Sequence, residues 1–122
     1  MRRILIVDDE RDVVTYLADE LHFAGFATEG VHNGVDAVLK VLDGGWDAVL
    51  MDFRMPQLDG VNTLRIIRRV APKLPVVMFT GQAGQGDMAE AMRLGAHTCL
   101  LKPVKIDALL SSLNRAIQPP NA

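Results

Sequence analysis

The sequence predicts an α/β domain: a five-stranded parallel sheet with helices on both faces. Three observations lead there. Short apolar runs alternate with amphipathic segments five times over. The runs are almost continuously apolar, as strands buried on both faces are, rather than alternating. The whole pattern fits into 122 residues, 49% of them hydrophobic and 23% charged, which is one domain's worth of chain with a real core.

The first strand is 4–7, Ile-Leu-Ile-Val, ended abruptly by Asp8, Asp9 and Glu10. Val13, Val14, Leu17, Ala18 and Leu21 then recur at helical spacing, and Gly25 stops that helix. Residues 26–31 read as a weaker second strand. Asn33 and Gly34 cap a helix running through Leu42, closed by Gly44 and Gly45. The third strand is 48–51, ending at Asp52. Pro56 and Gly60 mark the loop beyond it, and 61–70 is helical with Leu64, Ile67 and Val70 facing in. Residues 75–80 form the fourth strand, followed by a glycine-rich loop over 81–86. Asp87 and Glu90 stand at approximate capping-box spacing and predict a helix over 88–94, ended by Gly95. The fifth strand is 98–101 and the last helix 106–117, stopped by Pro119 and Pro120. Right-handed crossovers then leave a flavodoxin-like, doubly wound sheet of order 2-1-3-4-5.

Composition removes several classes of function. Thirteen basic against fifteen acidic residues give a net charge of -2, which no polybasic nucleic-acid or membrane binder carries. No DNA-binding element lies within these residues. One cysteine, Cys99, allows no intramolecular disulfide, and His22, His32 and His97 show no metal-ligand spacing. The apolar runs are too short for a signal core or a membrane span, so a reducing, cytoplasmic setting is expected. The loop GQAGQG lacks the Lys-Ser/Thr ending of a Walker loop and the spacing of a dinucleotide fingerprint.

In such sheets ligands bind beyond the carboxyl ends of the strands. Those ends here are Asp8 and Asp9, then Asp52, Thr80 and Lys102. Three converging carboxylates repel one another unless a cation sits among them, and hard oxygen ligands in a half-open site suit Mg²⁺. A carboxylate can also attack phosphorus to give an aspartyl phosphate, with cations neutralising the phosphoryl oxygens. Each residue alone has an ordinary explanation: an acidic helix N-terminus, a strand-end turn, a surface lysine, a capping hydroxyl. Their joint placement at successive strand ends does not.

The segments IVDDE (6–10), MDFRMPQLDG (51–60), VVMFTG (76–81) and MRLGAHTCLLKP (92–103) occur in order, and together they resemble a response-regulator receiver domain of bacterial two-component signalling, similar to the chemotaxis regulators. The resemblance spans essentially the whole chain. It implies Asp52 as phosphoacceptor. It implies a Mg²⁺ bound directly by Asp9, more through water by Asp8, and by Asp52 and the backbone carbonyl of Arg54. It implies Thr80 and Lys102 on the phosphoryl oxygens, with Thr80 moving on activation, and a cis Lys102–Pro103 peptide. The expected donor is a sensor histidine kinase. The expected receiver of the signal is a downstream partner protein or a fused output domain, with a phosphorylation-dependent homodimer as a further expectation by analogy. The domain is expected over 1–118, with 119–122 as a tail or the start of a linker.

Three features depart from the family pattern, one being a fourth-helix surface without the charged pattern that helps one transcription-factor subfamily dimerise. Cys99 stands where the family usually has Tyr or Phe, so the switch relay must differ. Gln82 and Arg54 occupy positions that tune dephosphorylation in relatives. A phosphatase with an aspartyl-phosphate intermediate usually places a second Asp two residues after the nucleophile; here that position is Arg54, so no turnover of an external substrate is expected. A degenerate receiver, acting as a protein-binding module with weak coupling to phosphate, is the alternative that Cys99 keeps open.

Overall fold

A computed structural model describes residues 1–81 and 85–117. Gln82, the rest of the loop up to Gly84, Gln118 and the expected tail over 119–122 lie outside the described residues. Five strands and five helices alternate: β1 (Arg3–Val7), α1 (Arg11–Phe23), β2 (Ala27–Val31), α2 (Gly34–Asp43), β3 (Ala48–Asp52), α3 (Gly60–Val70), β4 (Val76–Thr80), α4 (Gln85–Arg93), β5 (Thr98–Leu101) and α5 (Ile106–Ile117). The strands form one parallel sheet in the order β2-β1-β3-β4-β5, as the sequence predicts.

The near-continuous apolar strands have the expected cause: the two faces of the sheet bury separate cores. Leu5, Val7, Val49, Met51, Val76 and Met78 pack toward α2, α3 and α4. Their neighbours Ile4, Ile6, Leu50, Val77 and Phe79 pack toward α1 and α5. Successive strand residues point to opposite faces, so a strand covered on both sides must be apolar throughout. β2 is an edge strand and mostly half-buried, which explains its weak signal.

Asn33 caps as the sequence predicts, and Asp59 adds a cap that sequence reasoning did not name. Asn33 accepts from the Asp36 N–H at 2.7 Å and starts α2. Asp59 accepts from the Asn62 N–H at 2.8 Å and starts α3. Gly25 takes φ +98° after α1, a conformation side chains resist. Two expectations fail. The fourth helix begins at Gln85, so Asp87 lies inside its first turn and is not a capping residue. There a carboxylate favours the helix dipole, which explains the acid without the box. Val70 points outward, 43% exposed, because the inward arc of α3 is already filled by Gly60, Thr63, Leu64 and Ile67. The methionines of α4 also divide: Met88 packs on the core while Met92 is exposed.

The loop between β3 and α3 turns tightly. Gln57 has φ +70°, and the Leu58 N–H donates to the Pro56 carbonyl at 2.9 Å. At its far end the Gly60 N–H donates to the Phe53 carbonyl at 2.8 Å. A Cβ on Gly60 would run into the Asp52 carbonyl oxygen and stand 2.8 Å from the Phe53 Cα. Neither is a flexible side-chain end. Gly60→Ala is therefore expected to cost about 2–3 kcal/mol in urea unfolding. Gly86→Ala, on α4 with open space around it, is expected to stabilise by up to about 1 kcal/mol.

Candidate functional site

The carboxyl ends of β1, β3, β4 and β5 meet at one edge of the sheet. Asp8 directly follows β1 and is fully buried. Its N–H donates to the Val31 carbonyl at 3.2 Å, and His32 Nδ1 lies 3.1 Å from its own carbonyl. Asp52 ends β3 and is buried; Thr80 ends β4 and is buried. Lys102 follows β5, where its N–H donates to the Thr80 carbonyl at 2.8 Å. The Lys102–Pro103 peptide is cis. The ladder thus fixes the backbone beneath each of these side chains.

The Lys102 ammonium is the centre of the cluster. It lies 3.1 Å from Asp8 Oδ2, 3.5 Å from Asp52 Oδ2 and 3.5 Å from Glu10 Oε1. Its Nζ lies over the Phe79 ring, 5.3 Å from the centroid. Asp8 Oδ1 accepts the Glu10 N–H at 2.9 Å. A cavity of about 320 Å³ opens above, lined by Asp9, Glu10, Asp52, Arg54, Thr80 and Lys102.

Burial raises the Asp8 carboxyl to about 6, and the charge of Asp52 adds to it, against the Glu10 N–H and Lys102. Burial likewise raises Asp52, opposed by Lys102 and by the N–H groups of Arg54 and Phe53. Burial alone would lower Lys102, but Asp8, Asp52 and Glu10 together outweigh it, so the ammonium is held charged. One cation balances two buried acids and a third exposed one. A second cation is what the site still accommodates.

Carboxylate oxygens of Asp8, Glu10 and Asp52 lie within 4.8 Å of one another, a donor set of hard oxygens that can hold a metal ion. Of the expected acidic pair, Asp8 stands in this cluster, whereas Asp9 is exposed and lines the cavity wall. Glu10 is the residue that sequence reasoning passed over. Its signal was present in the Asp-Asp-Glu run, where it read as a helix N-terminal acid. Arg54 is exposed at the cavity mouth. Cys99 is half-buried against the core layer of α2, α3 and α4, and burial raises its thiol. Gln82 lies outside the described residues.

Comparison with known proteins places this geometry. The sequence matches the response regulator receiver domain family over residues 4–114. The chain belongs to that family. A receiver domain is the phosphorylation-dependent switch of two-component response regulators, and the alternative of a degenerate binding module is not favoured. Regulatory protein AtoC of Escherichia coli K12 is 38% identical over 118 residues, which is 97% of this chain and 26% of AtoC. The chain spans between 26% and 54% of the length of the curated relatives compared. A CheY-like receiver domain from Methanospirillum hungatei JF-1 superposes with TM-score 0.93 at 25% identity, over 96% of this chain and 94% of that one. The receiver domain of sensor histidine kinase PA1611 from Pseudomonas aeruginosa PAO1 superposes with TM-score 0.87 at 33% identity, over 95% and 97% of the two chains. That structure has a magnesium ion coordinated in its active-site cleft.

The receiver's raised Asp8 has a stability consequence. The unfolded chain releases this proton near the ordinary value of 3.8, the folded chain only near 6. The contribution to stability is present below the lower value and lost as pH rises through the upper one. Without divalent cations, urea unfolding should show a fall of the order of 2 kcal/mol from about pH 4 to pH 7 attributable to Asp8, which Asp8→Asn removes, leaving the smaller fall that the likewise raised Asp52 contributes.

Proposed function

We propose that Asp52 accepts a phosphoryl group from the phosphohistidine of a sensor histidine kinase, in the presence of Mg²⁺. The observation that carries this reading is the buried Asp52 carboxylate with the Lys102 ammonium 3.5 Å away at the floor of an open cavity. A carboxylate held there is shielded from competing water, yet open to a phosphoryl donor from above.

The bond changes balance simply. An Asp52 oxygen attacks phosphorus, the phosphorus–nitrogen bond breaks, and the imidazole leaves with its electron pair. Lys102 turns from Asp52 and Asp8 toward a phosphoryl oxygen. Thr80, buried at the end of the adjacent strand, is the hydroxyl that hydrogen-bonds another. Asp8, Glu10, Asp52 and the backbone carbonyl of Arg54 are the groups that would hold the ion, with Asp9 at the cavity wall available to it directly or through water. When bound, the ion supplies positive charge against the phosphoryl oxygens. The magnesium of the PA1611 receiver domain supports this assignment.

The domain turns over no external substrate; hydrolysis of its own phosphoaspartate resets it. Arg54, exposed at the mouth, is placed to affect access of water to that bond. Cys99 is too small to fill the place of the family's aromatic ring, so coupling from Thr80 passes through packing of β4 and β5 rather than through a ring. Signal leaves to a partner protein or a fused output domain, which the greater length of the relatives supports. Among the described residues no helix is long and apolar enough to cross a membrane.

Incubation with acetyl phosphate and Mg²⁺, followed by intact mass, should show one added phosphoryl group. EDTA and Asp52→Asn should each remove it; an equal increment in Asp52→Asn would overturn the assignment. Lys102→Ala should still bind Mg²⁺ but slow phosphorylation by about a hundredfold, the usual scale for losing one charged transition-state contact. Mg²⁺ should also raise the urea midpoint at neutral pH in wild type more than in Asp52→Asn.

A further inference from the structure

Among the described residues ten large apolar side chains are exposed, and five of them share one face: Val35, Leu39 and Leu42 on α2, Ile66 and Val70 on α3. They stand at i, i+4, i+7 and at i, i+4, so each set is a single stripe. The two helices are neighbours on the same side of the sheet. Gly34 lies so close to Thr63 and Leu58 that a Cβ there has no room, which locks the start of α2 against α3. An apolar stripe shared by two adjacent helices is the kind of surface that serves as an interaction site.

The flanks carry opposite charge. Asp36, Lys40 and Asp43 also recur at i, i+4, i+7, and Lys40 is ion-paired with Glu29 of the edge strand β2. That flank faces away from α3 and is net acidic. On α3, Arg65 pairs with Glu90 of α4, so Arg65 and Arg69 form a basic flank on the far side. Across the face the order is acid, apolar, apolar, base. Asp43 ends α2 and Arg69 lies in the last turn of α3, so the two charges are level along parallel helices. Neither lies within ion-pair distance of an opposite charge among the described residues, although the charge of Asp43 adds to that of Glu29 in holding Lys40 charged.

A surface of this pattern is complementary to itself. A two-fold axis running along the helices sets α2 of one copy on α3 of the other. Apolar stripe meets apolar stripe, and Asp43 of each copy meets the partner's Arg69. We propose that the α2–α3 face is a homodimer interface, closed by two symmetric Asp43–Arg69 pairs around the Leu39 and Ile66 stripe.

Sedimentation velocity of the full chain over a wide concentration series tests this. Wild type should dimerise with a Kd on the order of 0.1 mM or tighter. Asp43→Arg and Arg69→Asp should each weaken the dimer by about tenfold or more, since each sets like charges together. An equimolar mixture of these two variants should associate as a heterodimer, because each then supplies the charge the other lacks. The double variant Asp43→Arg/Arg69→Asp should dimerise like wild type. Leu39→Glu should be monomeric with unchanged circular dichroism. A wild type that stays monomeric throughout overturns the proposal. So does a dimer that ignores these changes but is lost in Met92→Glu or Leu101→Glu, on the α4–β5 side. Failure of the mixture to associate overturns the Asp43–Arg69 pairing.

Discussion

The Lys102 ammonium stands 3.1 Å from Asp8 and 3.5 Å from Asp52, two carboxylates that the sheet has taken out of water. Removing either acid from water is costly, and a buried pair is repaid only when geometry and additional hydrogen bonds are good. The surroundings supply those bonds: the Glu10 N–H to Asp8, and the N–H groups of Arg54 and Phe53 near Asp52. They do not repay the whole cost, which is why both acids remain raised. A site of this kind is held in place by the rest of the core rather than contributing to it. Its residual negative charge favours a further cation among Asp8, Glu10 and Asp52, whose carboxylate oxygens could hold one.

The strand order and the placement of the chemistry were legible because they share one cause. A strand covered on both faces must be apolar until it leaves the sheet, so the first polar residue marks its carboxyl end. Asp8, Asp52, Thr80 and Lys102 are those residues, and they converge because the sheet is parallel. What was not legible depends on side-chain direction at the start of a helix. Glu10 reaches back to Lys102 while Asp9 lies at the cavity wall, and the sequence order Asp-Asp-Glu does not distinguish these outcomes. The start of α4 was misplaced for a related reason: an acid in a first turn and an acid at a cap are both favoured by the helix N-terminus.

Val70 is the more instructive miss. Read by periodicity, it belongs with Leu64 and Ile67 on the inward face. The inward arc of α3 is instead completed by Thr63 and Gly60, a polar and a side-chain-free residue that hydropathy discounts. Gly60 is there because the chain must pass within contact of the Asp52 carbonyl, and Thr63 because its hydroxyl donates to the Asp59 carbonyl at 2.7 Å. Close packing at the start of α3 therefore uses small residues, and the apolar residues that remain, Ile66 and Val70, are left on the surface.

This links the two ends of α3. Its first residue donates to the carbonyl of Phe53, the residue directly after Asp52, and its contact with the Asp52 backbone leaves no room for a methyl group. Its outer turns carry two of the five residues of the exposed apolar face, Ile66 and Val70. A rigid helix transmits displacement at its start to its whole length, and the interior is too densely packed to absorb such a shift locally. The β3–α3 loop, tightened at Gln57 and Gly60, is a short covalent route from Asp52 to the exposed side of α3. A change of charge at Asp52 that moves the Phe53 carbonyl must therefore act on the pose of α3 relative to α2, and hence on the register of the stripe that the two helices present.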